Sequence, residues 1–289
     1  MSACNEAIAR LLESKREQQL DDGSGDVVFA LFLEPHEPPP ASDNRGVAEK
    51  ALDFAIQHCQ PSPAMVHVEL IVPCAPGAKQ PTNFATYIGS HSGWQSDADA
   101  NLNYYLVHNA NHWRAVPVFG KQAARRVRDA CAHSVNVPYS LARYITASWP
   151  LRVFSGLVPD GDRAPAHCAT LTARVLRHSI GACLRHASAW YGPASLYAEL
   201  CGDLREQRIH PESTLMTPET TRVVESLLRS SDAAVAMLSD AECTAAVRAL
   251  TLKAAAAEAF GDSAACQMTQ RQLANALLRW SVMRMYRDE

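Results

Sequence analysis

Met65-Val66-His67-Val68-Glu69-Leu70-Ile71-Val72 is the stretch on which the reading of this chain turns. β-Branched valine and isoleucine dominate it, and its two polar residues stand two apart. In an extended chain successive side chains alternate between faces, so His67 and Glu69 share one side of a strand. Gln60-Pro61-Ser62-Pro63 ahead of it and the turn-rich segment from Pro73 to Pro81 behind it bound the strand. Phe84-Ala85-Thr86-Tyr87-Ile88-Gly89 then reads as a returning strand. A hairpin closed about Gly77-Ala78 would bring Ser90 or His91 opposite His67.

Working outward, Val27-Val28-Phe29-Ala30-Leu31-Phe32-Leu33 reads as a buried strand, and Tyr104–Val107 and Trp113–Phe119 as further strands. Together they predict a twisted antiparallel sheet of about four to six strands, formed mainly by residues 64–120. Residues 5–19 read as a charged helix broken at Asp21-Asp22-Gly23-Ser24-Gly25, and Val47–His58 as a helix after the proline loop from Glu34 to Asn44. Past Gly120 the period becomes helical: Gln122–His133, Leu141–Ala147 and a helix starting close to Cys168 and reaching about Ile180. From residue 187 onward only helices are expected. They run from Ser188 to Arg208 with a break near Gly192-Pro193, from Thr217 with proline at the first helical position, and over Ala233–Glu258 and Met268–Tyr286. The fold class is therefore α+β, with a core over residues 1–186 and a helical region over 187–289 packed on or beside it.

Hydrophobic residues make up 47% of the 289, enough to fill a core. A formal charge of −3 and a pI near 6.4 supply no global field to attract nucleic acid or anionic lipid. No stretch approaches the roughly 20 apolar residues of a membrane helix, and the first residues lack a basic segment followed by an apolar one. A soluble, unsecreted chain is expected. Nine cysteines stand at positions 4, 59, 74, 131, 168, 183, 201, 243 and 266, an odd number with no C-x-x-C pair and no zinc-ligand spacing. Neither a disulfide framework nor a bound metal is expected, and most of these thiols read as small buried hydrophobes.

One of them stands apart. A thiol nucleophile needs a base to form thiolate, a group that holds the base, and preferably a helix N-terminus whose dipole favours negative sulfur. Cys168 has the helix start, His67 can supply the base, and Glu69, or Ser90 or His91, could orient it. His167, beside the cysteine, reads as a capping or surface residue, because neighbours on a helix point in different directions. Arg125-Arg126-Val127-Arg128 reads as the solvated face of its helix.

The ordered elements His67-Val68-Glu69-Leu70, Phe84-Ala85-Thr86-Tyr87-Ile88, Trp113-Arg114-Ala115-Val116-Pro117-Val118, Val137-Pro138-Tyr139-Ser140 and His167-Cys168-Ala169-Thr170-Leu171 resemble the permuted papain-like, NlpC-type cysteine hydrolases. In that superfamily the histidine strand precedes the cysteine helix. The pattern is most similar to virus-encoded members, where an H-x-E-L strand precedes a C-[SA]-x-[LF] helix, and Leu215-Met216-Thr217-Pro218-Glu219 resembles their threonine-proline helix start. The resemblance covers residues 65–220 or so and departs from the family at His167 and Ala169, where an aromatic or serine commonly flanks the cysteine.

The resemblance implies a permuted papain-like core whose antiparallel sheet packs on the Cys168 helix. It also implies a cysteine hydrolase or acyltransferase, of peptidase, amidase or lipid acyl-transfer type, working on an amide or ester through Cys168, His67 and Glu69. No cofactor or metal enters that chemistry. Its partner is a peptide or acyl-ester substrate, and its place the cytoplasm or a virion. The competing expectation is a non-catalytic structural or interaction protein, such as a virion component, that keeps the scaffold and uses its C-terminal helices for assembly.

Overall fold

The computed structural model describes residues 27–35, 64–72, 82–84, 110–134, 137–147, 154, 164–182, 184–206, 216–259 and 263–287. The helices read over 5–19 and 47–58, the strand over 104–107, and Ser90 and His91 lie outside them. β1 (Val27–Leu33), β2 (His67–Val72), β3 (Thr82–Phe84) and β4 (Trp113–Phe119) form one antiparallel sheet in the order β3-β2-β1-β4. The sheet is thus not built from residues 64–120 alone, because β1 sits between β2 and β4. The reason is in its sequence. A continuous apolar run can bury side chains on both faces, and every residue of β1 after Val27 is buried.

Register fixes the two faces. Leu33 stands opposite both His67 and Trp113, Leu31 opposite Glu69 and Ala115, and Phe29 opposite Ile71 and Pro117. Pro117 is tolerated because β4 is an edge strand, which needs ladder hydrogen bonds on one side only. β3 spans Thr82–Phe84 and pairs Leu70–Phe84, Ile71–Asn83 and Val72–Thr82, so the returning strand begins two residues earlier than expected, and residues 85–89 of that expected strand lie outside the described residues.

Helices cover both faces. Val28, Ala30, Phe32, Val68, Leu70, Val72, Val116 and Val118 form one core with α1 (Ala123–His133), α3 (Cys168–Ile180) and α4 (Pro193–Glu206). Phe29, Leu31, Leu33, Ile71, Trp113 and Ala115 form a second core with α5 (Pro218–Arg229), α7 (Asp240–Ala259) and α8 (Ser263–Arg287). The short helices α2 (Leu141–Thr146) and α6 (Asp232–Ala236) complete the described set. The architecture is α+β, a small antiparallel sheet between two helical layers.

Local chemistry sets the boundaries. Thr217 caps α5 by accepting the Thr220 amide at 3.1 Å, with Pro218 at the first helical position. Gly181 ends α3 at φ 67°, the left-handed conformation glycine takes without strain. The single helix expected over Ala233–Glu258 is instead two, α6 and α7, because Ser239 and Glu242 form a capping box. The Glu242 amide donates to Ser239 Oγ at 3.2 Å, and the Ser239 amide to Glu242 Oε2 at 2.8 Å.

Candidate active site

Cys168 is the first residue of α3, and His167 is its N-cap with extended backbone (φ −105°, ψ 176°). The lead-in is pinned by a bridge between Tyr139 and Ala166, with the Ala166 amide on the Pro138 carbonyl and the Ser140 amide on the Ala166 carbonyl, both at 2.9 Å. Ser140 in turn caps α2, where Tyr144 sits. The Tyr144 hydroxyl donates to the Val66 carbonyl at 3.0 Å, and its ring lies 5.5 Å from the His167 ring. One tyrosine thus ties the residue before His67 to the residue before Cys168.

His67 is the first residue of β2. Met65 belongs to the core on the α3 side and Ile71, of the same parity, to the core beneath the C-terminal helices. The strand alternation therefore turns over just ahead of β2, where His67 stands, and the imidazole can address groups of both layers. Its Nε2 lies 3.0 Å from Glu69 Oε1, and Glu69 is wholly buried on the face of Leu31 and Ile71. With Nε2 engaged by the carboxylate, Nδ1 is the nitrogen left free of Glu69, and the ring lies near enough to the Cys168 thiol for the two to shift each other's titration. The fold brings together Cys168, His67 and Glu69.

Electrostatics follow from that contact. Burial alone would push the Cys168 thiol up, but the neighbouring His67, with a further contribution from His167, lowers it to about 5. Burial alone would depress His67, yet the Cys168 sulfur and then Glu69 push it up to about 10. The contact thus favours the thiolate–imidazolium form of the pair. The α3 N-terminus adds its dipole. The Ala169 amide donates to His167 Nδ1 at 3.2 Å, whereas the amides of Cys168 and Thr170 have no acceptor among the described residues.

The thiol is not open to solvent: Cys168 is only 1% exposed and belongs to the core, while the His67 side chain keeps 15% exposure. The surface cavity of about 500 Å³ lined by Asn111, Leu228, Arg229, Met268 and Arg271 lies elsewhere. Of the two roles expected of His167, capping or surface, it has the first: it is fully buried and caps α3. A histidine at the N-cap is rarer than serine or aspartate, so capping statistics gave little signal for its contact with the sulfur.

Among the described residues Cys131, Cys168, Cys201, Cys243 and Cys266 are buried free thiols. Burial pushes the Cys131 thiol well up, and burial followed by Glu258 does the same to Cys266, so Cys168 differs in direction from both. No group of three or more His, Cys, Asp or Glu able to hold a metal occurs among the described residues. Arg125 and Arg126 are exposed, as a solvated face requires. No helix among the described residues is long and apolar enough to cross a membrane. Compared with known proteins, the chain matches no family model, no curated protein and no solved structure.

Proposed function

We propose that this chain is a thiol hydrolase or acyltransferase acting on an amide or ester bond, with Cys168 as nucleophile, His67 as base and acid, and Glu69 holding the imidazole. The observation that carries the reading is the Cys168–His67–Glu69 relay at a helix N-terminus, with the thiol lowered and the imidazole raised. The order of its parts, base-bearing strand before thiol-bearing helix, agrees with a permuted papain-like core, and we adopt that core as part of the proposal.

In this reading the Cys168 thiolate attacks the carbonyl carbon. A carbon–sulfur bond forms, and the π pair moves to oxygen, which the Cys168 amide receives. The pair returns, the bond to the amine or alcohol breaks, and His67 gives its proton to the leaving group. Water or a second acceptor then attacks the thioester while His67 takes its proton, and sulfur leaves as thiolate. The buried Glu69 keeps Nε2 protonated and Nδ1 toward sulfur throughout.

The near-complete burial of Cys168 favours a second reading, a structural or interaction protein that keeps the scaffold without turnover. Iodoacetamide labelling followed by peptide mapping separates the two. Selective alkylation of Cys168 among the nine cysteines at pH 6 supports the enzyme, and indiscriminate or absent labelling there supports the scaffold.

A further inference from the structure

The first turn of α3 holds hydrogen-bonding capacity that the folded chain leaves unused. The Ala169 amide donates to His167 Nδ1, so that nitrogen carries a lone pair and no proton. In the neutral ring the proton is consequently on Nε2. That nitrogen is buried with no geometric hydrogen-bond partner among the described residues, although His167 is near enough to the Cys168 thiol to help lower it, and the adjacent Thr170 hydroxyl is likewise buried and unpartnered there. Folded proteins pair nearly all such groups, and exceptions concentrate where a ligand completes them. Tyr144, 5.5 Å away, walls in the imidazole, and the sulfur is buried beside it. Whatever movement admits a substrate to Sγ admits it to Nε2.

We propose that His167, through Nε2–H, is a second donor to the oxygen of the tetrahedral adduct on Cys168, completing with the Cys168 amide an oxyanion site for an acyl carbonyl. The inference rests on the thiol-enzyme reading and extends it to a residue that reading does not use. The capping bond fixes the tautomer before substrate arrives, so no proton has to move within the ring when charge develops on the oxygen. His167 lies next to the sulfur in sequence and in contact with it. The proposal therefore requires that a carbonyl carbon bonded to Sγ place its oxygen within hydrogen-bond distance of this ring.

The test contrasts two reagents on the intact chain. Iodoacetamide alkylates the thiolate by displacing iodide and needs no oxyanion donor. Acetaldehyde is attacked at its carbonyl carbon: a carbon–sulfur bond forms, the π pair goes to oxygen, and the proton from His67 gives a hemithioacetal. His167→Ser keeps an N-cap and removes the donor. Measured where each protein's thiol is fully ionised, alkylation of Cys168 should change little, while acetaldehyde protection of Cys168, whose adduct oxygen is a hydroxyl once His67 has given its proton, should weaken by up to about tenfold. Equal protection of both proteins overturns the role of His167 and leaves the enzyme reading standing. Absence of selective alkylation in the unsubstituted protein overturns both. A measurement that needs no variant is the NMR signal of the His167 Nε2 proton, which should move downfield when acetaldehyde adds; a stationary signal counts against the proposal.

Discussion

A sulfur in a hydrophobic core is ordinarily a neutral thiol, and Cys131 behaves so. What separates Cys168 is a pair of neighbouring histidines, His67 first and His167 after it, and behind His67 a carboxylate with no exposure to water. The sign of the pH response follows. Below about 5 the thiolate is protonated, and above about 10 the imidazolium that protonates the leaving group is lost. Turnover should hold between these limits and fall on both sides, whereas alkylation should fall only on the acid side; a pH–rate profile for each reagent checks this. Glu69→Gln keeps an acceptor for Nε2 but removes the charge that helps raise His67. Its basic limb should move to lower pH and kcat should drop at least about tenfold, one pKa unit being worth about 1.4 kcal/mol. His67 and Glu69 were legible because a two-residue spacing on a strand is a geometric statement. Their pairing with Cys168, about a hundred residues on, was legible only through a family likeness, since local periodicity says nothing about contacts so distant in sequence. The burial of the thiol was legible only as the general tendency of free cysteine and not for Cys168 in particular.

At the scale of elements, α3 is where packing and chemistry share one helix. Leu171 and Leu176 are buried in the core between α3 and the sheet, Leu176 about two turns of helix beyond Cys168. Leu176→Ala should cost about 2–5 kcal/mol in urea denaturation while the Cys168 alkylation profile keeps its midpoint; a shifted midpoint would mean that the helix start moves with the core. At the other end of the range, Thr217→Ala should cost about 1 kcal/mol through the lost cap on α5. Strong local signals were read at their true positions: the β1 run, the start of α3, the Thr217-Pro218 cap. The break between α6 and α7 was missed, although Ser239 and Glu242 spell a capping box, because an alanine-rich helical period drowned it. The place of β1 inside the sheet could not be read from propensity, which identifies a strand without naming its neighbours.

The whole molecule is clasped where the sheet meets its last helix. Buried Arg114 on β4 pairs with Glu34 just past β1 and donates to the Tyr197 hydroxyl at 3.2 Å, and Tyr197 donates to Gln270 Oε1 on α8 at 2.6 Å. Arg271 of α8 holds Glu34 from outside at 2.8 Å. Arg114→Met leaves the Glu34 carboxylate half-paired in a largely buried place and should cost about 3–5 kcal/mol, read from the urea midpoint. Ending the chain at residue 216 would strip the face of Phe29, Leu31, Leu33 and Ile71 and should give insoluble protein. Glu69 lies under that same layer, on the opposite side of the sheet from the bulk of α3. During synthesis the ribosome delivers thiol, imidazole and carboxylate well before the segment that seals the carboxylate away from water. A nascent chain therefore carries all three groups before the carboxylate is sealed from water, and in the proposed enzyme the relay is complete only once the last helices have docked.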